Sequence, residues 1–154
     1  MMKHLRTARL DDATVIHAIH TRAARLSCSA SYTEAQLDGW LGHRTPEGYH
    51  DGIGSGEMYV YEIEDQVVGF GHAVPGEIVA IFVDPDYQGK GIGRRLLDHG
   101  CRVAGIGGAI IRLEATPSAE AFYAHAGFRK VDEHLLKRGE VLLKVIGMER
   151  PAAT

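Results

Sequence analysis

The chain has little cysteine, no long apolar run and no strong charge of either sign, and each shortage removes a class of function. Its two cysteines, Cys28 and Cys101, lie far apart and form no Cys-x-x-Cys pair. Neither a zinc framework nor a redox dithiol is expected, and both read as free buried thiols. No apolar stretch approaches the roughly 20 residues that cross a bilayer, so no membrane partner is expected. Met1–Leu10 lacks the apolar segment of a signal peptide, which makes a cytoplasmic setting the default. The net charge is −3, from 17 basic and 20 acidic residues. Acidic residues outnumber basic ones up to Val74, and the balance is slightly reversed beyond it. Nucleic-acid binding wants a strongly basic face, so no nucleic-acid partner is expected. His17 and His20 sit three apart in a helical pattern with no third ligand in view, so no metal is expected.

What is present reads as one domain over 1–154. His4–Arg9 suits a first strand. Val15, Ile16, Ile19, Ala23 and Leu26 recur at helical spacing and predict an amphipathic helix over about 12–26. Thr33-Glu34-Ala35-Gln36 has the form of a capping box before a short helix carrying Leu37, Trp40 and Leu41. Gly42 to Gly56 reads as a loop. Met58–Ile63, Gln66–Val74 and the run from Ile78 to Val83 make an antiparallel meander, with Gly69 and Gly71 hinting at a bulge or close backbone approach. A helix with Ile92, Leu96, Leu97, Val103 and Ala104 follows. The strand Ala109–Ala115 then lies parallel to the strand before that helix, as a right-handed crossover requires. Another helix ends at Gly127 in the left-handed region, and Phe128–His134 and Val141–Met148 close the chain. The fold class is α/β (α+β): a mixed, mostly antiparallel sheet of about seven strands with about four helices.

The segment EIVAIFVDPDYQGKGIG, Glu77–Gly93, joins a buried strand to a glycine-rich turn and a helix N-terminus. Glycines let the backbone come close, and the first N–H groups of a helix have no intrahelical acceptor. That arrangement suits a phosphate or pyrophosphate. The Walker loop is excluded because its closing Gly-Lys-Ser/Thr is missing, and Gly89-x-Gly91-x-Gly93 does not match Gly-x-Gly-x-x-Gly.

Gln88-Gly89-Lys90-Gly91-Ile92-Gly93, preceded by Val83-Asp84-Pro85 and Tyr87, resembles the acyl-CoA-binding motif of the GCN5-related N-acetyltransferase (GNAT) superfamily. Ala119-Glu120-Ala121-Phe122-Tyr123-Ala124-His125-Ala126-Gly127-Phe128 resembles its second signature, an aromatic pair before Gly-Phe. Ser31–Trp40 is similar to a small bacterial subgroup of acetyltransferases with poorly defined substrates. The resemblance spans about Lys3 to Pro151. It implies the acyl-CoA N-acyltransferase fold, with the two parallel strands splayed, and acetyl-CoA as co-substrate without a metal. It implies transfer to a primary amine of a small-molecule or peptide acceptor, by direct attack in a ternary complex. A CoA-binding sensor or interaction module without catalysis is the alternative.

By the same resemblance, the backbone from Gln88 to Arg94 holds the pyrophosphate, with Lys90 and Arg94 as further contacts. Ile81, Phe82 and Val83 pair with the pantetheine amides. Thr116, Ala119 and Phe122 flank the arm, although Thr116 stands where many members have asparagine. Tyr123 is the candidate acid for the leaving thiolate. Glu77 is either a base, directly or through water, or an exposed turn residue. His72 is another candidate. Arg22, Arg25, Tyr32 and Trp40 are candidate acceptor contacts. The protein is expected to be a monomer or a homodimer.

Overall fold

Apolar residues alternate along most strands, so each strand presents one face to each of two helical layers. The computed structural model describes residues 2–151, and the ends of the 1–154 span lie outside them. The elements are β1 (Lys3–Thr7), α1 (Ala13–Cys28), α2 (Glu34–Leu41), α3 (His50–Gly54), β2 (Met58–Ile63), β3 (Gln66–Val74) and β4 (Glu77–Val83). Then come α4 (Ile92–Ala104), β5 (Ile111–Ala115), α5 (Glu120–His125), β6 (Arg129–Arg138) and β7 (Val141–Arg150). One seven-stranded sheet runs in the order β1-β2-β3-β4-β5-β7-β6. Only β4 and β5 pair in parallel, and the others pair antiparallel. The expected sheet, its strand count and its parallel pair are all present.

Five helices are present among the described residues, close to the expected four, and the additional one lies where a loop was expected. Gly42–Gly56 is not a plain loop: Pro46–Tyr49 is a 3-10 turn with proline at its start, and α3 continues from it. Proline there costs nothing, because the N–H it lacks would have had no acceptor. The apolar pair Tyr49 and Ile53, one helical turn apart, is buried under the sheet. The capping box forms as written: Thr33 Oγ1 accepts from the Gln36 N–H, and Gln36 Oε1 accepts from the Thr33 N–H.

Two cores result. Leu96, Leu97, Ile111, Leu113, Phe128 and Met148 belong to the layer under α4 and α5. Ile16, Ile19, Val60 and Phe70 lie on the opposite face, under α1 and α3, and Leu37, Trp40 and Leu143 continue that side under α2. Tyr59 crosses into the first layer, where its hydroxyl donates to the Leu96 carbonyl at 2.9 Å. A Cβ on Gly71 of β3 would overlap the Tyr59 ring, and one on Gly100 of α4 would overlap its hydroxyl. Those two bare backbones let the ring lie flat between sheet and helix, and so bring α4 close to the sheet. β3 also bulges at Val68, where Tyr61 opposes Gly69 and Glu62 opposes Val67. Both glycine hints from the sequence therefore have a physical counterpart.

The feature that positions the site is the failure of β4 and β5 to stay together. Their pairing consists of Glu77 opposite Arg112. From there β4 continues on β3 as far as Val83 opposite Gly69, while β5 continues on β7 as far as Ala115 opposite Ile146. The edge of β4 over Ile81–Val83 is thus left without a strand partner on the β5 side.

Candidate active site

A cavity of about 840 Å³ fills the space between the diverging strands. At one end lies the glycine turn. Gly89 and Gly91 have φ of 77° and 82°, values a side chain disfavours, and nothing lies within 4 Å of where their Cβ atoms would be. The first intrahelical bond there runs from Arg95 N–H to Gly91 C=O. The N–H groups of Ile92, Gly93 and Arg94 precede it and face the mouth of α4, so donors and helix dipole both favour an anion. Gly93 differs from the other two: it is helical, and its bare Cα lies against the Phe122 ring and Val83.

The middle of the cavity is walled by Ile81, Phe82 and Val83 on one side and by Thr116, Ala119, Phe122 and Tyr123 on the other. Phe122 and Tyr123 meet edge to face at 5.1 Å, and Tyr123 meets Phe128 at 5.9 Å. Tyr123 is 7% exposed. Burial, with the nearby Cys101, pushes its hydroxyl well above the ordinary range, so it stays protonated at any physiological pH.

The far end lies under α1, α2 and α3. Tyr32, Trp40 and His72 line it. The Tyr32 hydroxyl donates to the Lys144 carbonyl at 2.7 Å, and burial raises its pKa to about 12. His72 Nε2 lies 2.8 Å from Glu57 Oε1. His20 stacks at 4.4 Å on Phe82. Burial first, then the charges of Arg44, His17 and Arg138, lower its pKa to about 3, so the imidazole is neutral.

Several expected contacts lie elsewhere. Arg22 is engaged by Asp84 at 3.2 Å and by Asp86 at 3.6 Å, and Arg25 by Asp38 at 2.9 Å. Both point along the helix surface instead of lining the cavity. Lys90 is exposed beside the turn, and His125 is exposed on α5. Glu77 is exposed at the joined end of β4 and β5 and lines a separate, smaller recess with Arg112 and His134. The carboxylate that lines the main cavity is Glu114 of β5, held by His134 Nε2 at 2.6 Å, with Asp132 3.1 Å from His134 Nδ1. Sequence reasoning missed Glu114, Arg44, Tyr49 and Arg138. The alternation Ile111, Leu113, Ala115 inward and Arg112, Glu114 outward carried the signal for the first. Reading Gly42–Gly56 as loop hid the next two. Among the described residues, no three His, Cys, Asp or Glu side chains form a metal-binding group, and no helix is long and apolar enough to cross a membrane.

The family model described as Acetyltransferase (GNAT) domain matches residues 54–130, from just before β2 to the start of β6. The chain belongs to the GNAT family of acetyltransferases. A curated relative from Escherichia coli strain K12, the uncharacterized N-acetyltransferase YafP, is 24% identical over 129 residues, covering 84% of this chain and 83% of its own. The crystal structure of a GCN5-related N-acetyltransferase from Rhodopseudomonas palustris superposes with a TM-score of 0.90 at 23% identity, over 98% of this chain and 96% of that one. The PaiA N-acetyltransferase from Thermoplasma acidophilum, solved with coenzyme A, gives 0.79 at 17% identity, over 98% and 99%. The fold is the acyl-CoA N-acyltransferase fold expected from the two signatures, and the chain is an acyltransferase.

Proposed function

We propose that the protein transfers an acetyl group from acetyl-CoA to a primary amine of a small-molecule or peptide acceptor, by direct attack within a ternary complex. The observation that carries this reading is the continuity of one cavity. It leads from the glycine turn, along the unpaired edge of β4, past Tyr123, to an aromatic chamber on the other face of the sheet.

Each part suits one part of the co-substrate. The N–H groups from Gln88 to Arg94 receive the pyrophosphate, with Arg94 adding charge although Asp98 holds it at 3.0 Å. The free edge at Ile81–Val83 takes the pantetheine amides as a partial added strand. Thr116 and Ala119 border the arm, and Phe122 closes it from the side of Gly93. The neutral amine nitrogen attacks the thioester carbonyl carbon. The C–N bond forms and the C–S bond breaks. The thiolate takes the Tyr123 proton, and the amine's surplus proton leaves through Glu114 or water. A base joined to solvent serves both the ammonium before attack and the acyl-bearing nitrogen after it.

Acetyl-CoA should bind at submillimolar concentration by calorimetry, and incubation with an amine panel should release free thiol. Absence of binding would sink the reading. Gly91→Val tests the turn separately. A β-branched residue at φ 82° carries about 1–3 kcal/mol of strain and crowds the anion site. Acetyl-CoA affinity should therefore fall roughly tenfold or more, with the far chamber untouched.

A further inference from the structure

We infer that the acceptor amine carries an oxyanion, a carboxylate or a phosphate, received by Arg44 and Arg138 in the far chamber. This deepens the acetyl-transfer reading above and rests on it.

The argument begins with charge balance. Three charged side chains line the chamber beyond Tyr123: Arg44, Arg138 and Glu114. Arg138 Nη2 lies 3.9 Å from Glu114 Oε1, a long contact. Glu114 is in any case held more closely by His134 at 2.6 Å. Arg44 is half-buried, and no carboxylate among the described residues lies within ion-pair distance of it. The chamber therefore holds two cations and one anion, and the anion is already shared. A guanidinium partly withdrawn from water without a counter-ion is costly, and a ligand oxyanion relieves that cost.

Arg44 is also held in a receiving posture. Its Nε–H donates to the Tyr49 hydroxyl at 3.1 Å, and its guanidinium carbon sits 4.9 Å above the Tyr49 ring. The Tyr49 oxygen lies 2.8 Å from His20 Nδ1. The Tyr49 oxygen accepts from Arg44 Nε–H and also meets His20 Nδ1, so the phenol is fixed from two sides. That chain fixes Nε and leaves both terminal nitrogens of Arg44 as a fork, the geometry that binds carboxylate and phosphate in pairs. Arg44 and Arg138 line the same cavity as the His20 ring. The aromatic walls of Tyr32, Trp40 and Tyr49 exclude water and strengthen the attraction. Glu114, the one carboxylate among the described residues that lines the same cavity, suits the ammonium of the same molecule. A small amine with an oxyanion fits both ends.

The test is thiol release from acetyl-CoA with matched acceptors: free amino acids against their carboxamides, and phosphoethanolamine against ethanolamine. The oxyanion member should be preferred at least roughly tenfold in kcat/KM, and the preferred pair tells carboxylate from phosphate. Arg44→Gln should erase the preference through acceptor KM while calorimetric acetyl-CoA affinity stays unchanged, and Arg44→Lys should restore part of it. If Arg44→Gln fails to fold, Arg138→Gln, whose side chain is 42% exposed, gives the same reading. Equal or better use of the uncharged members overturns the inference and leaves acetyl transfer standing. Failure of every oxyanion member also overturns it, and acetyl-CoA binding in the same calorimetry then judges the transfer reading separately.

Discussion

Tyr123→Phe should lower turnover by about 10²–10⁴-fold, the range typical of a removed general acid, while leaving acetyl-CoA affinity nearly unchanged. The ring is 7% exposed and wedged between Phe122 and Phe128, so phenylalanine keeps the packing and removes only the hydroxyl. Burial holds that hydroxyl protonated, which suits a group that must give a proton to a departing thiolate and recover it afterwards. Calorimetry and steady-state kinetics on the same preparation separate the two effects. Unchanged turnover would remove Tyr123 from the chemistry. A parallel loss of affinity and turnover would make it a wall of the cavity only.

Arg6→Ala should cost about 3 kcal/mol of unfolding free energy, the low end for breaking a buried ion pair, because the Arg6 side chain stays 16% exposed. Arg6 joins three elements. Its Nη1 and Nη2 hold Asp12, just before α1, at 2.8 and 3.0 Å, and its Nε holds Glu62 of β2 at 2.9 Å. Removing it leaves buried Asp12 without a side-chain cation and Glu62 with His4 alone, at 2.8 Å. Acid should act on the same cluster. Burial alone would raise the Asp12 pKa, but the Arg6 fork and the Arg9 N–H outweigh it and hold the carboxyl below its ordinary value. Arg6 likewise holds Glu62 down. A carboxylate with a lowered folded pKa binds fewer protons folded than unfolded. Its contribution is complete above the unfolded value near about 4 and disappears as the pH falls through the folded value. Urea midpoints measured from pH 7 to below pH 4 should drop more for the wild type than for Arg6→Ala. Parallel curves would show that the cluster does not carry the acid sensitivity.

The parts of the site legible in the sequence were those written in backbone. Gly89 and Gly91 announce positive φ, Pro85 announces the end of β4, and Gly127 announces the end of α5, because each is a residue whose own geometry fixes the chain. Tyr123 was legible because it belongs to a linear signature. The far chamber was not, since it is assembled from side chains whose partners are distant in sequence. Arg22 and Arg44 look alike in a string of letters. One meets Asp84, 62 residues away, and is neutralised; the other meets a tyrosine and keeps its charge available. Glu77 and Glu114 divide in the same way: each is an exposed-side carboxylate on a central strand, and only the point where β4 and β5 part decides which one borders the cavity.

That parting has a mechanical consequence. The sheet is two plates, β1 to β4 and β5 to β6, pinned at Glu77 and Arg112. The bond at the pin is Arg112 N–H to Gly76 C=O at 3.0 Å. The glycine turn rides on one plate, and Tyr123 rides on the other. From the pin to Val83 the lever is about 20 Å long at roughly 3.3 Å per residue. A tilt of about 3° would shift the thioester against the Tyr123 hydroxyl by roughly 1 Å, a misplacement that can cost about 100-fold in rate. Alignment of a bound thioester with Tyr123 would thus depend on a joint that touches neither.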